Sequence, residues 1–165
     1  MGSHMVPEGR LIQIIPADEA HIDRIAKHAR ESDINEAAVT GQSIREGLEE
    51  GVRLSVWAWT ILAEDKPIAM FGASPSPVIG IGIAWMIGTP EMDHNKIAIL
   101  RRTKQFVTRM HNKVFHVLMN YVDGRNDKSI RWLKWCGFKM NKNPIHVGPD
   151  KVPFYEFTRK QTDNV

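Results

Sequence analysis

The chain has 165 residues, 42% of them hydrophobic and 25% charged, which is enough for one domain with a continuous core. Its net charge of +3 hides a division: residues 1–95 hold 7 basic and 14 acidic side chains, residues 96–165 hold 15 and 5, so the second half is expected to meet something anionic. One cysteine, Cys136, excludes a disulfide framework and a cysteine-based zinc site, and the longest apolar run, Pro77 to Ile87, is too short for the ~20 residues of a membrane helix.

Leu11–Ile15 is a short apolar run stopped by Pro16 and reads as a strand. Asp18 is the expected cap of a helix whose apolar positions are Ile22, Ile25, Ala26 and Ala29. A second helical stretch follows Asp33 and runs to about Glu50, with Gly51 as its stop. Arg53–Leu62 and Ile68–Gly72 form a hairpin around Glu64-Asp65-Lys66-Pro67. Val78–Ile87 is a long strand in which Gly80 and Gly82 mark a bulge or a close approach. A basic helix then extends from about Asn95 to Val114, with Ile99, Phe106, Met110 and Val114 as its core stripe. His116–Val122 is a buried strand, Asp127–Cys136 a short helix stopped by Gly137, and Phe138–Arg159 a final pair of strands around Gly148-Pro149-Asp150. Met1–Met5 reads as a leftover expression tag, and 6–165 as one domain. Nothing in the sequence resembles a secretion signal, so the expected location is the cytoplasm.

The order β-α-α-β-β-β-α-β-α-β-β, and the stretch Asn120-Tyr121-Val122-Asp123-Gly124-Arg125-Asn126 followed by Ile130 to Gly137-Phe138, resemble the GNAT superfamily of acyl-CoA-dependent N-acyltransferases. Three further pieces are similar to small GNAT-like proteins of tailed bacteriophages, some of them internal virion proteins: Arg30-x-x-Asp33-x-x-Glu36, Trp85-x-x-Gly88-Thr89, and Pro144 to Phe157. The resemblance implies an α/β fold with a mixed, mostly antiparallel sheet, splayed between its fourth and fifth strands and covered by helices on both faces. It implies acetyl-CoA or another acyl-CoA as donor and a small-molecule or peptide amine as acceptor. The family's cofactor loop offers backbone N–H groups to pyrophosphate. Here that place reads Gly88-Thr89-Pro90-Glu91-Met92-Asp93, with a proline lacking an N–H and two acids. The tyrosine acid that the family often carries falls on Leu133.

The resemblance places the candidate cofactor contacts at Ile87, Gly88, Thr89 and Asn126, with Arg101, Arg102 and Lys104 as substitute cations for the phosphates. Asp33 and Glu36, three apart, share one helix face near the substrate end, where Glu36 is the candidate base; Tyr121 is the candidate acid. Trp57 and Trp85 are candidate walls of the substrate pocket. Each has a plainer reading: a solvated acidic helix end, a tyrosine at the core edge, Asn126 as a helix cap, the tryptophans as core. No metal is expected, since the histidines show no ligand spacing. Two readings outside catalysis stay open, a non-catalytic virion or assembly protein and a binder of nucleic acid or host protein through the basic half.

Overall fold

The computed structural model describes residues 11–111 and 114–161. The expected tag remnant lies outside them, as do residues 112 and 113 of the expected basic helix. Eight strands form one sheet: β1 (Ile12–Pro16), β2 (Trp57–Ala63), β3 (Lys66–Pro75), β4 (Ile81–Gly88), β5 (Val117–Asp123), β6 (Lys139–Met140), β7 (Ile145–Val147) and β8 (Val152–Lys160). The order across the sheet is β1-β2-β3-β4-β5-β8-β6, with β7 also paired to β8. Every pairing is antiparallel except β4 with β5.

The helices are α1 (Ile22–Lys27), α2 (Glu31–Val39), α3 (Ile44–Leu54), α4 (Lys96–His111) and α5 (Asp127–Trp135). They divide the core in two. Ile22, Ile25, Ile44, Leu48 and Met70 pack beneath α1 and α3 on one face. Phe71, Ile99, Phe106, Met110, Leu118 and Phe157 belong to the cluster beneath α4 and α5 on the other. Met70 and Phe71 point to opposite faces because successive strand residues must.

The structure corrects several boundaries. The single helix expected between Asp33 and Glu50 is two, because Ser43 starts a fresh helix: its hydroxyl accepts from Glu46 N–H at 3.1 Å and the Glu46 carboxylate accepts from Ser43 N–H at 3.0 Å. Gly51 stops nothing. It lies inside α3, where a Cβ would stand 2.6 Å from the ring of Trp85, so glycine is there to let that indole lie on the helix. The second strand starts at Trp57 and not Arg53, and β4 starts at Ile81 because Val78 and Ile79 belong to the preceding turn. Val114 lies beyond α4 and is exposed, while Ile99, Phe106 and Met110 are buried as the stripe requires. Ile130 and Leu133 of α5 are half-buried against the core.

The expected hairpin is present but tighter: Lys66 and Pro67 already pair with β2, and β3 runs on to Pro75. The turn is Glu64 and Asp65 alone, both at the positive φ that a two-residue hairpin needs. Gly137 closes α5 at φ +93°, with Gly137 N–H donating to Lys134 O at 3.1 Å and Phe138 N–H to Leu133 O at 3.0 Å. That double closure is the Schellman arrangement, which favours glycine.

Candidate active site

Strands β4 and β5 run together only over Ile81–Ile83 and Val117–Met119. Beyond that they part. The wedge opens at Ala84, whose carbonyl accepts from Asn120 Nδ2 at 2.8 Å. A cleft of about 470 Å³ passes through it, lined by residues of both faces of the sheet. Toward α2 and α3 it meets Trp85, Ile87 and Tyr121; toward α4 and α5 it meets Met86, Trp132, Leu133 and Cys136.

Helix α2 spans the mouth of the wedge with its two acids. Asp33 Oδ2 accepts from Gly88 N–H at 2.9 Å, at the end of β4. Glu36 Oε1 accepts from Asp123 N–H at 3.1 Å, at the end of β5. Two carboxylates one helical turn apart thus tie down the tips of the two parted strands.

Their surroundings set them apart. Asp33 is 6% exposed and carries the Arg30 guanidinium, with Nε at 3.0 Å from Oδ2 and Nη2 at 3.2 Å from Oδ1. Its charge is matched and its oxygens are taken. Glu36 forms no ion pair among the described residues; a cation acting on it, Arg125, is held by Asp123. Burial pushes its carboxyl up to about 7, and the nearby Asp33 and Asp123 charges add to that, against the lowering effect of the Asp123 N–H and Asn126 bonds. Both of its hydrogen bonds, including the one at 3.4 Å from Asn126 Nδ2, fall on Oε1, which leaves Oε2 to the cleft.

The remaining expected residues scatter. Asn126 is a helix cap, its Oδ1 accepting from Ser129 N–H at 3.2 Å, and its amide nitrogen faces Glu36. Tyr121 lines the cleft, and its hydroxyl donates to Glu156 Oε2 at 3.3 Å. Trp85 is a wall, fixed by donating from Nε1 to Ser55 Oγ at 2.8 Å. Trp57 is not among the cleft-lining residues: it stacks on Trp59, in the layer that packs against Phe106 of α4. Thr89 is fully buried, and both its N–H and its hydroxyl donate to Ile68 O at 2.9 Å.

The loop after β4 therefore has few N–H groups to offer. Gly88 gives its own to Asp33, Thr89 to Ile68, and Pro90 has none. Its acids are also matched, Glu91 by Arg24 at 2.6 Å and Asp93 by Lys128 at 2.9 Å. The three expected cations of α4 do not converge on it. Arg102 donates to Ile12 O on β1, Lys104 lies over the Trp135 ring at 5.6 Å from its centroid, and Arg101 is exposed. Sequence reasoning missed a different set. Lys96, Lys128 and Arg131 line a groove of about 180 Å³ between α4 and α5, and Arg30 and Trp132 line both that groove and the cleft. Lys128 and Arg131 stand three apart on α5, a spacing visible in the sequence; their meeting with Lys96 is not.

This architecture is found in solved structures. The spermidine N-acetyltransferase of Vibrio cholerae, in complex with CoA and spermine, superposes with a TM-score of 0.68 over 93% of this chain and 97% of that one, at 11% identity. A GNAT-family acetyltransferase of Bacillus anthracis gives 0.69 over the same shares, also at 11% identity. AAC(6')-Ib in complex with ribostamycin and coenzyme A gives 0.65 over 92% and 94%, at 12% identity. This chain has the GNAT fold. No family model and no curated protein sequence matches it. The expected mixed sheet with its parallel, parting β4–β5 pair is the one observed.

Proposed function

We propose that the protein is an N-acyltransferase that moves an acyl group from acyl-CoA to an amine. The observation that carries this reading is Glu36: a carboxyl that titrates near neutrality, with one oxygen free, in the wedge between parted β4 and β5. An acceptor amine is a cation at neutral pH, and a base matched to the working pH is what its deprotonation requires. The solved structures of this fold bound to CoA, spermine or ribostamycin support donor and acceptor classes of that kind.

The chain's own groups fit a thioester donor. Along β4 the main-chain groups of alternate residues face β5: Ala84 O meets Asn120, Gly88 N–H meets Asp33, and Met86 between them faces the open wedge. Acyl-CoA would supply a thioester carbonyl carbon open to attack. Met86 N–H is the donor placed to polarise the carbonyl oxygen. Glu36 would take one proton of the ammonium, the amine nitrogen would bond the carbonyl carbon, and the carbon–sulfur bond would break as that nitrogen gives up its second proton. Tyr121, the phenol lining the cleft, is the group that would pass its proton to the thiolate and recover the nitrogen's second proton, once its hydroxyl turns from Glu156. Lys96 and Arg131, in the groove where Lys128 is paired with Asp93, are the side chains that would hold the phosphates in place of loop amides.

A second reading is favoured by one observation. Gly88 N–H, at the place where the fold's phosphate loop begins, is already bonded to Asp33, as a non-catalytic GNAT-fold protein would tolerate. The bacteriophage virion role suggested by the sequence pieces belongs to this reading. Calorimetric titration with acetyl-CoA separates the two. Binding that weakens in Lys96→Ala and Arg131→Ala, with turnover lost in Glu36→Gln by about 10²–10⁴, supports the enzyme; no binding to acetyl-CoA supports the second reading.

A further inference from the structure

We infer that the acceptor is a monoamine on an apolar body, an aliphatic or aryl-alkyl amine, and not a polycation. The inference rests on the acyltransferase reading and names its substrate class.

Among the described residues only two carboxylates line the cleft, Asp33 and Glu36. Asp33 is spent on Arg30 and Gly88, so a second ammonium brought to it would have to displace a half-buried guanidinium. Of these two, Glu36 alone has an oxygen outside the hydrogen bonds described, and it can match one positive charge. Glu156, at the rim, already accepts the Tyr121 hydroxyl.

The rest of the compartment on the α2–α3 side is mostly carbon. Ala37, Ile44, Trp85, Ile87, Tyr121 and Phe154 face it there, with β7 adding Ile145 and Val147 at the outer edge. These positions share one side because Tyr121 pairs with Glu156 and Asp123 with Phe154 across β5–β8, while Val122 and Tyr155 turn to the α5 face. The β7–β8 turn closes the edge, since Gly148 comes up against Val39 of α2. Burying a second and third ammonium against such walls, with no partner, costs far more than it returns. A phenyl or alkyl group loses water there at a gain. Thr40, Gln42 and Ser43 at the mouth add hydrogen-bonding groups but no charge.

The test compares phenethylamine, hexylamine and spermidine on the full chain. Amine binding is read by saturation-transfer NMR with and without coenzyme A, and transfer by thiol release from acetyl-CoA. Expected is binding of phenethylamine and hexylamine at least about tenfold tighter than spermidine, with the same order in kcat/KM. Ile145→Asp, which sets a second carboxylate at the outer edge, is expected to narrow that gap toward spermidine. Spermidine bound or acetylated as well as phenethylamine overturns the inference and leaves the acyltransferase reading standing. A protein that binds none of the three overturns it too. The NMR arm needs no turnover, so failure to bind acetyl-CoA defeats the proposed function while the order of amine binding still decides this inference.

Discussion

Replacing Glu36 by glutamine tests the central electrostatic argument without any substrate. Glutamine keeps the Oε1 acceptor used by Asp123 N–H and removes only the charge. The folded-state pKa of Glu36 is raised from 4.5 to about 7, so the native state binds this proton more tightly than the unfolded chain does. Its ionisation therefore opposes folding: the penalty is absent well below 4.5, grows as pH rises, and is fully present above about 7. A shift of that size corresponds to roughly 3 kcal/mol. Urea denaturation of both proteins at about pH 4 and pH 8.5 reads it directly. Glu36→Gln is expected to be nearly as stable as the parent at the acid end and about 3 kcal/mol more stable at the alkaline end. Other titrating groups cancel because the two proteins are compared at equal pH. A stability difference that does not change with pH would mean that Glu36 titrates like an exposed glutamate, and the case for it as the base would go with it.

The other outcomes follow from packing and pairing. Asp33→Ala strands the half-buried Arg30 guanidinium and frees Gly88 N–H, so denaturation is expected to show a loss of about 3–5 kcal/mol. Leu133→Ala is expected to cost about 2 kcal/mol, the low end for a deleted leucine, because the vacated volume opens into the cleft instead of a sealed void. Gly137→Ala forces an L-residue to φ +93° and brings its Cβ 3.0 Å from Arg159 Nε, so a loss of about 1–2 kcal/mol is expected in the same assay. If the proposed function holds, kcat/KM for acetyl transfer is expected to rise with pH through about 7, where Glu36 loses its proton.

Much of the fold was legible because the sequence marks its own interruptions. Pro16, the positive-φ pair Glu64-Asp65 and Gly137 end elements where local geometry demands it, and those positions hold in the structure. Errors arose where a tertiary contact sets the meaning of a residue. Gly51 looks like a helix stop, and only the Trp85 ring lying on it explains a glycine in mid-helix. Val78 and Ile79 look like strand, but Gly80 at φ +86° turns the chain there. The site was legible in part. The spacing of Asp33 and Glu36 put both on one helix face, yet no spacing says that Arg30 neutralises one and leaves the other alone. The basic second half points to an anion partner, but the dense run of cations on α4 does not gather in one place: Arg102 reaches β1 and Lys104 lies over Trp135. Lys96, Lys128 and Arg131 come from two helices, and their convergence is a property of packing.

The division of labour in α2 gives one physical reason for the departures around the loop after β4. A wedge between parted strands leaves main-chain N–H groups without sheet partners at both tips, and such groups must be satisfied. At the β4 tip Asp33 does so while also holding the Arg30 guanidinium, so the tip is closed by a matched pair. At the β5 tip Glu36 does so with one oxygen only, unmatched and at the edge of neutrality. The same helix therefore spends one acid on holding the wedge and keeps the other for a proton. The cost falls on the Gly88 N–H. If the proposed function holds, phosphate binding would then come from side chains, and the cations between α4 and α5 lie in a groove that shares Arg30 and Trp132 with the cleft.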